Sequence, residues 1–261
     1  MKRVPSAPPD CSTDSNTLQK VATAASKLRA VIDKACGGSD KMCGGDLTKE
    51  AGGAALGWPA TCPNFENGTC TNVIGSDDCT GIADCLACIG EAAVKQAIQL
   101  YFGALEPADP KTHKALNKCQ QSIGREAAAF LATKSKVLAK CWEARLKGLH
   151  ANDCTPPAAG DGKTLPAIMR AASKRDTEIC RACGGKDKKC GGGDDFAPGD
   201  IGFIDPCTAV TLPSGGGTCG APVGDLGALS TCVGCVTEFK VDCVDRAAVP
   251  EFVPVPPECN Q

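Results

Sequence analysis

The sequence is poor in aromatic residues, in histidine and in long apolar runs. Phe, Trp and Tyr make up 4% of the 261 residues, beside 30 Gly and 18 Pro, so loops are abundant and a large aromatic core is excluded. No run of about 20 apolar residues is present, which excludes a transmembrane helix. The two histidines, His113 and His150, are far apart, and no Gly-x-Ser-x-Gly element accompanies them. The sequence therefore favours a non-catalytic protein.

An excess of charge of one sign is absent too. The chain has 28 Lys and Arg against 30 Asp and Glu, a formal net charge of -2, and the two signs are interspersed. Without a basic stripe, nucleic acid is excluded as a partner. The first residues, MKRVPSAPPD, have the basic start of a signal peptide but no apolar segment after it, so we expect a mature or trimmed chain.

Cysteine, by contrast, is abundant. The chain has 20 cysteines, and the even number predicts complete pairing into disulfides. Disulfides persist in oxidising compartments and supply small or loop-rich proteins with the stability that a modest core does not give. The composition therefore predicts an extracellular or periplasmic protein whose loops are held by sulfur bridges.

The chain contains an internal repeat at an offset of about 147 residues. Residues 36–45 read CGGSDKMCGG and residues 183–192 read CGGKDKKCGG, identical at eight of ten positions. Downstream, LGWPATC ending at Cys62 matches IGFIDPC ending at Cys207. Such self-similarity is the signature of a duplicated structural unit, so we expect two copies of one cysteine-rich fold.

A segment without a partner in the repeat, residues 111–149, separates the two copies. Its apolar positions fall on or near one face of a long helix; they are Leu116, Cys119, Ile123, Ala127, Phe130, Val137, Cys141 and Leu149. The predicted fold class is mainly α, with two pseudo-repeated, disulfide-linked helical units that have long Gly/Pro-rich loops and are joined by the central helix. The predicted domains are a first unit at 1–110, the central helix at 111–149, and a second unit with an extended tail at 150–261.

Four features carry a resemblance to known sequences: the CGGxDKxCGG blocks, the GW or GF step before the next cysteine, the CxxC helix, and the central helix with its KCQ and KC elements. Together they resemble cysteine-rich repeat proteins predicted from genomes of uncultivated environmental bacteria, over nearly the whole chain. The resemblance implies an exported bacterial protein and implies no activity.

Six cysteines recur in each copy, which predicts three bridges per unit with the pairing left open. They are Cys36, Cys43, Cys62, Cys70, Cys85 and Cys88 in the first copy, and Cys183, Cys190, Cys207, Cys219, Cys232 and Cys235 in the second. Cys180 and Cys243 occur only in the second copy, where the first has Asp33 and Gln96. Because both cysteines are missing together, we predict a Cys180–Cys243 bridge between the helices on either side of the Gly-rich loop.

The central helix carries two cysteines that cannot pair with each other. Cys119 and Cys141 lie roughly 33 Å apart on a continuous helix, whereas a disulfide needs Cα atoms within about 7 Å. Each should therefore pair with a different neighbour. The cysteines left over as candidate partners are Cys11, Cys79, Cys154 and Cys259.

Three pairs of cysteines have the CxxC spacing that binds zinc or iron–sulfur clusters. They are Cys85 with Cys88, Cys180 with Cys183, and Cys232 with Cys235. Cysteines three apart on one helical face can instead form disulfides to two neighbouring segments. The oxidising compartment favours disulfides, and no βαβ pattern accompanies any pair to support redox catalysis.

The Gly-rich loops contain acidic residues that are candidate calcium ligands. They are Asp40 and Asp46 in the first copy, and Asp187, Asp194 and Asp195 in the second. Glycines let backbone carbonyls turn inward, as irregular calcium sites require, but neither an EF-hand nor a repeat-in-toxin spacing is matched and lysines intervene. A solvated turn is the alternative interpretation. With the CxxC pairs interpreted as disulfides, calcium is the one cofactor left to consider.

Both ends of the chain are rich in proline, at residues 4–9 and 250–257. Such segments are extended and stiff. The apolar residues Phe252, Val253 and Val255 of the tail either pack on their own domain or dock on a neighbouring subunit.

The leading hypothesis from sequence is a non-catalytic extracellular structural or surface-assembly protein. In this hypothesis the chain is the subunit of a polymer or filament and contacts copies of itself through the terminal arms. The alternative is an extracellular binding module for calcium or for a small apolar ligand held between helices.

Overall fold

The computed structural model of the protein describes residues 13–46, 49–64, 70–102, 109, 111–156, 160–249 and 255–260. Over these ranges the chain is mainly helical, with 59% helix and no strands. The described ranges contain six α-helices, which are α1 (Ser15–Cys36), α2 (Thr80–Phe102), α3 (Lys114–Leu146), α4 (Thr164–Cys183), α5 (Pro198–Ile201) and α6 (Leu226–Ala248). The predicted mainly α, disulfide-rich fold is confirmed. Within the same ranges, no helix has both the length and the apolar character needed to cross a membrane.

Helices α1 and α4 come from matching stretches of the sequence, each follows an aspartate at the matching position, and each ends at a glycine. The carboxylates of Asp14 and Asp161 each accept a hydrogen bond of 2.8 Å from a backbone N–H in the first turn. A side-chain oxygen at this position satisfies a free helical N–H and complements the helix dipole. At the other end, Gly37 and Gly184 close the helices by donating to carbonyls of the last turn.

The chain forms two compact units, the first made mainly of residues 1–92 and the second mainly of residues 93–246. In the first, the core consists of apolar side chains and half-cystines around the start of α2, among them Ile74, Ile82, Cys85 and Ile89. In the second, α3 packs along α4. Its fully buried side chains include Ile123, Phe130, Leu138, Ile179, Leu229 and Phe239. The boundaries predicted from sequence at residues 110 and 149 stay a prediction.

Nine disulfides hold the described part of the chain together. They join Cys43–Cys79, Cys62–Cys85, Cys70–Cys88, Cys119–Cys183, Cys141–Cys154, Cys180–Cys190, Cys207–Cys232, Cys219–Cys235 and Cys243–Cys259. Cys119 and Cys141 pair with different segments, which confirms that prediction.

The predicted Cys180–Cys243 bridge is wrong. Cys180 pairs with Cys190 across the Gly-rich loop, and Cys243 pairs with Cys259. The common absence of both residues from the first copy therefore reflects two separate bridges. The loop is secured differently in each copy, since Cys43 pairs with Cys79 just before α2.

The prediction of three bridges within each set of six recurring cysteines is also wrong. Two bridges in each copy join members of the set, and the two loop cysteines of each copy do not pair with each other. Cys183 pairs with α3, whereas its counterpart Cys36 is a free thiol. Within the described residues, complete pairing is therefore not reached. Cys11, one of the candidate partners named above, lies outside the described residues.

Each of the two Gly-rich loops contains a lysine whose backbone is in the left-handed conformation. Lys41 has φ 58° and its counterpart Lys188 has φ 59°. A side chain with Cβ in this conformation costs about 1–2 kcal/mol, which glycine avoids. Lys188 is held in this conformation by its loop, because the end of α4 precedes the turn and the bridge between Cys180 and Cys190 spans it.

Replacing Lys188 by glycine is therefore expected to leave the free energy of unfolding unchanged or to raise it by up to about 1 kcal/mol, since relief of strain offsets the added entropy of the unfolded chain. The control is Lys189→Gly, next to it and equally exposed, which should lower the free energy of unfolding by roughly 0.5–1 kcal/mol. Urea unfolding of both variants measures the difference. Equal losses in the two variants contradict the role given to the turn.

Candidate functional site

The acidic residues of the first Gly-rich loop act as backbone caps. The Asp40 carboxylate accepts hydrogen bonds from the backbone N–H groups of Met42 and Asp46, at 3.1 and 3.2 Å. Asp46 forms a salt bridge of 3.4 Å with Lys49. The two predicted calcium ligands of this copy, Asp40 and Asp46, are thus neighbours that shape the turn.

The second loop brings its three acidic residues together. Oxygens of Asp187, Asp194 and Asp195 lie within 4.8 Å of one another. Each carboxylate also accepts a backbone N–H, from Lys189 at 2.9 Å, Lys186 at 2.7 Å and Gly191 at 2.7 Å respectively. The second oxygen of Asp195 is buried without a hydrogen-bond partner. Three carboxylates so placed are a set that a hard cation such as Ca²⁺ can bind, and capping of the loop accounts for them equally well.

A second group of metal-binding residue types is used for another purpose. Cys141, His150 and Cys154 lie close together, but the two cysteines form a disulfide. The imidazole Nε2 of His150 lies 3.2 Å from the backbone carbonyl oxygen of Cys141. Because a disulfide provides no thiolate, this group is part of the link between α3 and the segment that follows it.

The CxxC pairs do not present two thiolates to one ion. In each pair the two sulfurs belong to separate bridges that lead to different segments. Cys85, for example, pairs with Cys62, while Cys88 pairs with Cys70. The spacing of three residues places both cysteines on one side of the helix, from which each reaches its own loop.

Buried charges in the second unit were not predicted from the sequence. Lys134 of α3 is 1% exposed and forms a 2.7 Å salt bridge with Asp242 of α6. Burial raises the pKa of Asp242, although the neighbouring ammonium opposes that shift. The signal for Lys134 was present in the sequence, because it lies four residues after Phe130 and four before Leu138 and so shares their face.

A second carboxylate of α6 lies near this ion pair. The indole N–H of Trp142 donates a hydrogen bond of 2.9 Å to Asp245. Burial raises the pKa of Asp245 to about 6, and the charge of Asp242 adds to the shift. A half-buried carboxyl with such a pKa changes charge just below neutral pH, so this group makes the stability of the second unit depend on pH.

An open groove of about 280 Å³ runs between α3 and α4. Its lining includes the charged residues Glu126, Arg170, Lys174 and Arg175 and the apolar residues Ala129, Phe130, Ala167 and Ala171. The Arg175 guanidinium lies 4.7 Å from the centre of the Phe130 ring, a cation–π contact. Charged and apolar side chains thus share the lining, and the small apolar ligand considered from the sequence stays a prediction.

Cys36 is the free thiol of the described residues and lies at the end of α1. Partial burial raises its pKa. A raised pKa keeps the thiol protonated at neutral pH and therefore slow to react with small oxidants or disulfides.

Fold and sites together define a mainly helical, disulfide-rich protein. No protein-family model, curated protein or solved structure matches the chain. Its function therefore has to be argued from its own residues.

Proposed function

We propose that this chain is a non-catalytic structural protein of the extracellular space or periplasm, a repeat-built subunit of a larger assembly. The observation that carries the proposal is that sulfur bridges at matching positions of the two sequence repeats join loops to helices. Disulfides of this kind keep a protein folded in an oxidising extracellular solution without the need for a large hydrophobic core.

The repeat interpretation is supported by bridges and turns that recur at matching positions. Cys62–Cys85 corresponds to Cys207–Cys232, and Cys70–Cys88 corresponds to Cys219–Cys235. Left-handed residues also recur in the two loops, at Gly38, Lys41 and Gly44 and at Gly185, Lys188 and Gly191. Copies that preserve backbone conformation as well as cysteine position are expected of one duplicated unit with α3 between the copies.

The location and origin follow from the chemistry of sulfur and from the resemblance in sequence. Nine disulfides require an oxidising compartment for their formation. The proposed source is an exported protein of environmental bacteria, like the cysteine-rich repeat proteins that the sequence resembles.

The assembly is proposed to use the terminal arms. The N-terminal arm and the residues Phe252 and Val253 lie outside the described residues. Val255 is described and is partly buried. From their proline content we expect extended arms, and apolar side chains on such an arm would gain free energy by docking on a second subunit.

Assembly is tested by size-exclusion chromatography of the full chain with light scattering, together with negative-stain images. We expect a mass of several subunits and elongated particles. Phe252→Asp with Val253→Asp should lower the mass, because a charge at an apolar contact opposes docking, whereas the control Glu251→Gln should not. A monomer at every concentration contradicts the proposal.

A second candidate function, calcium binding, is favoured by the three clustered carboxylates of the second loop and by the unpartnered oxygen of Asp195. Calcium at about 100 times its dissociation constant should stabilise the fold by about 2.7 kcal/mol. Asp195→Asn should abolish this gain, and the exposed control Asp200→Asn should keep it. Thermal unfolding in calcium and in EDTA measures the effect, and equal melting temperatures in both contradict a calcium site.

A further inference from the structure

The groove between α3 and α4 exists because small side chains line the seam between the two helices. Cys119, near the start of α3, is bridged to Cys183, the last residue of α4, so the helices run side by side in opposite directions. Ala129 of α3 and Ala167 and Ala171 of α4 leave space that larger side chains fill in a close-packed interface. The space is about 280 Å³, near the lower end of the range of about 300–1,000 Å³ for ligand sites, and therefore suits a small ligand.

Two cations in the lining of the groove are without ion pairs. Arg170 and Lys174 lie one turn apart on α4, are exposed, and form no ion pair with any described residue. Glu126, the one carboxylate that the described residues contribute to the lining, already accepts a hydrogen bond of 2.7 Å from the Arg125 guanidinium. Positive charge is therefore in excess around the groove, which attracts anions.

A third cation of the lining, Arg175, is buried and only partly hydrogen-bonded. It is 6% exposed, and its guanidinium lies 4.7 Å from the centre of the Phe130 ring. Its Nε and Nη2 donate to one oxygen of Asp176, at 3.0 and 2.8 Å. The remaining nitrogen, Nη1, is buried and has no hydrogen-bond partner among the described residues. Because an unsatisfied buried donor on a charged group costs free energy, the second unit would be stabilised by an acceptor brought to this guanidinium.

The internal repeat separates these cations from the residues that the helix itself requires. The stretch AASK is identical in α1 and α4 and fixes the register of the comparison. At this register Thr23 and Leu28 of α1 stand where α4 has Arg170 and Arg175. A helix of this kind therefore forms without either arginine. Both arginines occur in the copy whose helix packs along α3, which supplies the other wall of the groove.

We propose that this groove binds a small organic phosphate monoester. Arg170 and Lys174 hold the phosphate, with Arg175 as a third positive charge in the lining, and the apolar body of the ligand lies on the alanines of the seam. A phosphate monoester carries a charge of about −1.5 to −2 at neutral pH, which balances the two unpaired cations, and its oxygens match the fork of an arginine. This binding site goes beyond the structural role proposed above and does not depend on it.

Isothermal titration calorimetry of the full chain at low ionic strength tests the site, with phenyl phosphate as the probe. Inorganic phosphate has the charge without the apolar body, and benzyl alcohol has the body without the charge. We expect one phenyl phosphate per chain, bound about tenfold or more tightly than either of these, because head and body are recognised together. Benzoate, which keeps the ring but has a single negative charge, should bind more weakly than phenyl phosphate.

Two matched variants of the full chain assign the binding to the groove. Arg170→Gln with Lys174→Gln should weaken phenyl phosphate binding by about tenfold or more, because both charged donors to the phosphate are lost. The control is Lys20→Gln with Lys27→Gln on α1, which removes the same charge from the matching helix and should leave binding unchanged. All four side chains are exposed, so the fold should persist, as circular dichroism will show.

Four results would overturn the proposal. Benzyl alcohol that binds as tightly as phenyl phosphate shows an apolar site, and inorganic phosphate that does so shows a charged surface that ignores the body. Equal losses in the two variant pairs show attraction by the net charge of the chain. Absence of any binding up to about 10 mM phenyl phosphate excludes the site. A chain that assembles into oligomers and does not bind phenyl phosphate refutes the groove site alone.

Discussion

Replacing Cys119 and Cys183 by alanine is expected to lower the free energy of unfolding by about 4 kcal/mol. This bridge joins α3 to the end of α4 across a sequence separation of 64 residues. Loops of that length lose the most entropy when they are closed, so the unfolded chain gains the most when the bridge is removed. Both half-cystines are fully buried, so their removal also affects the core.

The matched control for this prediction is the bridge between Cys180 and Cys190, with a separation of 10 residues. Its double alanine variant should lose about 2.5 kcal/mol by the same relation. Denaturant unfolding of both variants, with thiols blocked after unfolding to exclude reshuffling, measures the difference. A smaller loss for the long bridge than for the short one contradicts the account.

Asp245→Asn is expected to raise stability at pH 7.5 by up to about 3 kcal/mol and to leave it nearly unchanged at pH 4. The pKa of Asp245 is raised to about 6 in the folded protein by burial, from an ordinary value of 3.8. The folded protein thus keeps a proton that the unfolded chain releases between these values. The contribution of this group is fully present below pH 3.8 and is lost as pH rises through about 6. Asparagine stays neutral and still accepts from the Trp142 indole N–H.

Urea unfolding of both proteins at pH values from 4 to 8 tests this prediction, with the exposed Asp200→Asn variant as the control. The difference between Asp245→Asn and the wild type should grow between pH 4 and 6 and then stay constant. A difference that is independent of pH, or that shrinks as pH rises, contradicts the raised pKa.

The helical character and the abundance of disulfides could be predicted from composition and periodicity alone. The sequence also predicts where the CxxC cysteines lie, because a spacing of three residues puts Cys85 and Cys88 on one side of a helix. Pairing could not be predicted, because it depends on which Cα atoms approach within about 7 Å in the folded chain. Cys180 has a cysteine ten residues on in sequence and was wrongly paired with Cys243, which lies in another helix.

The buried ion pair was missed for a different reason. The position of Lys134 in the helix indicated the apolar face, but its charge indicated solvent, because a charge is rarely buried without a partner. Its partner, Asp242, comes from a helix more than a hundred residues away, and no local pattern connects the two. The sequence identifies Asp187, Asp194 and Asp195 as candidate ligands by residue type. That their carboxylate oxygens lie within 4.8 Å of one another depends on the loop conformation, which the sequence pattern does not give.

The central claim is that matching disulfides fix two copies of one unit. Non-reducing peptide mapping tests it most directly. The account predicts Cys62–Cys85 and Cys70–Cys88 together with their counterparts Cys207–Cys232 and Cys219–Cys235, and a Cys36 that alkylates without reduction. Different pairings in the two copies, or free thiols at these eight positions, would contradict it.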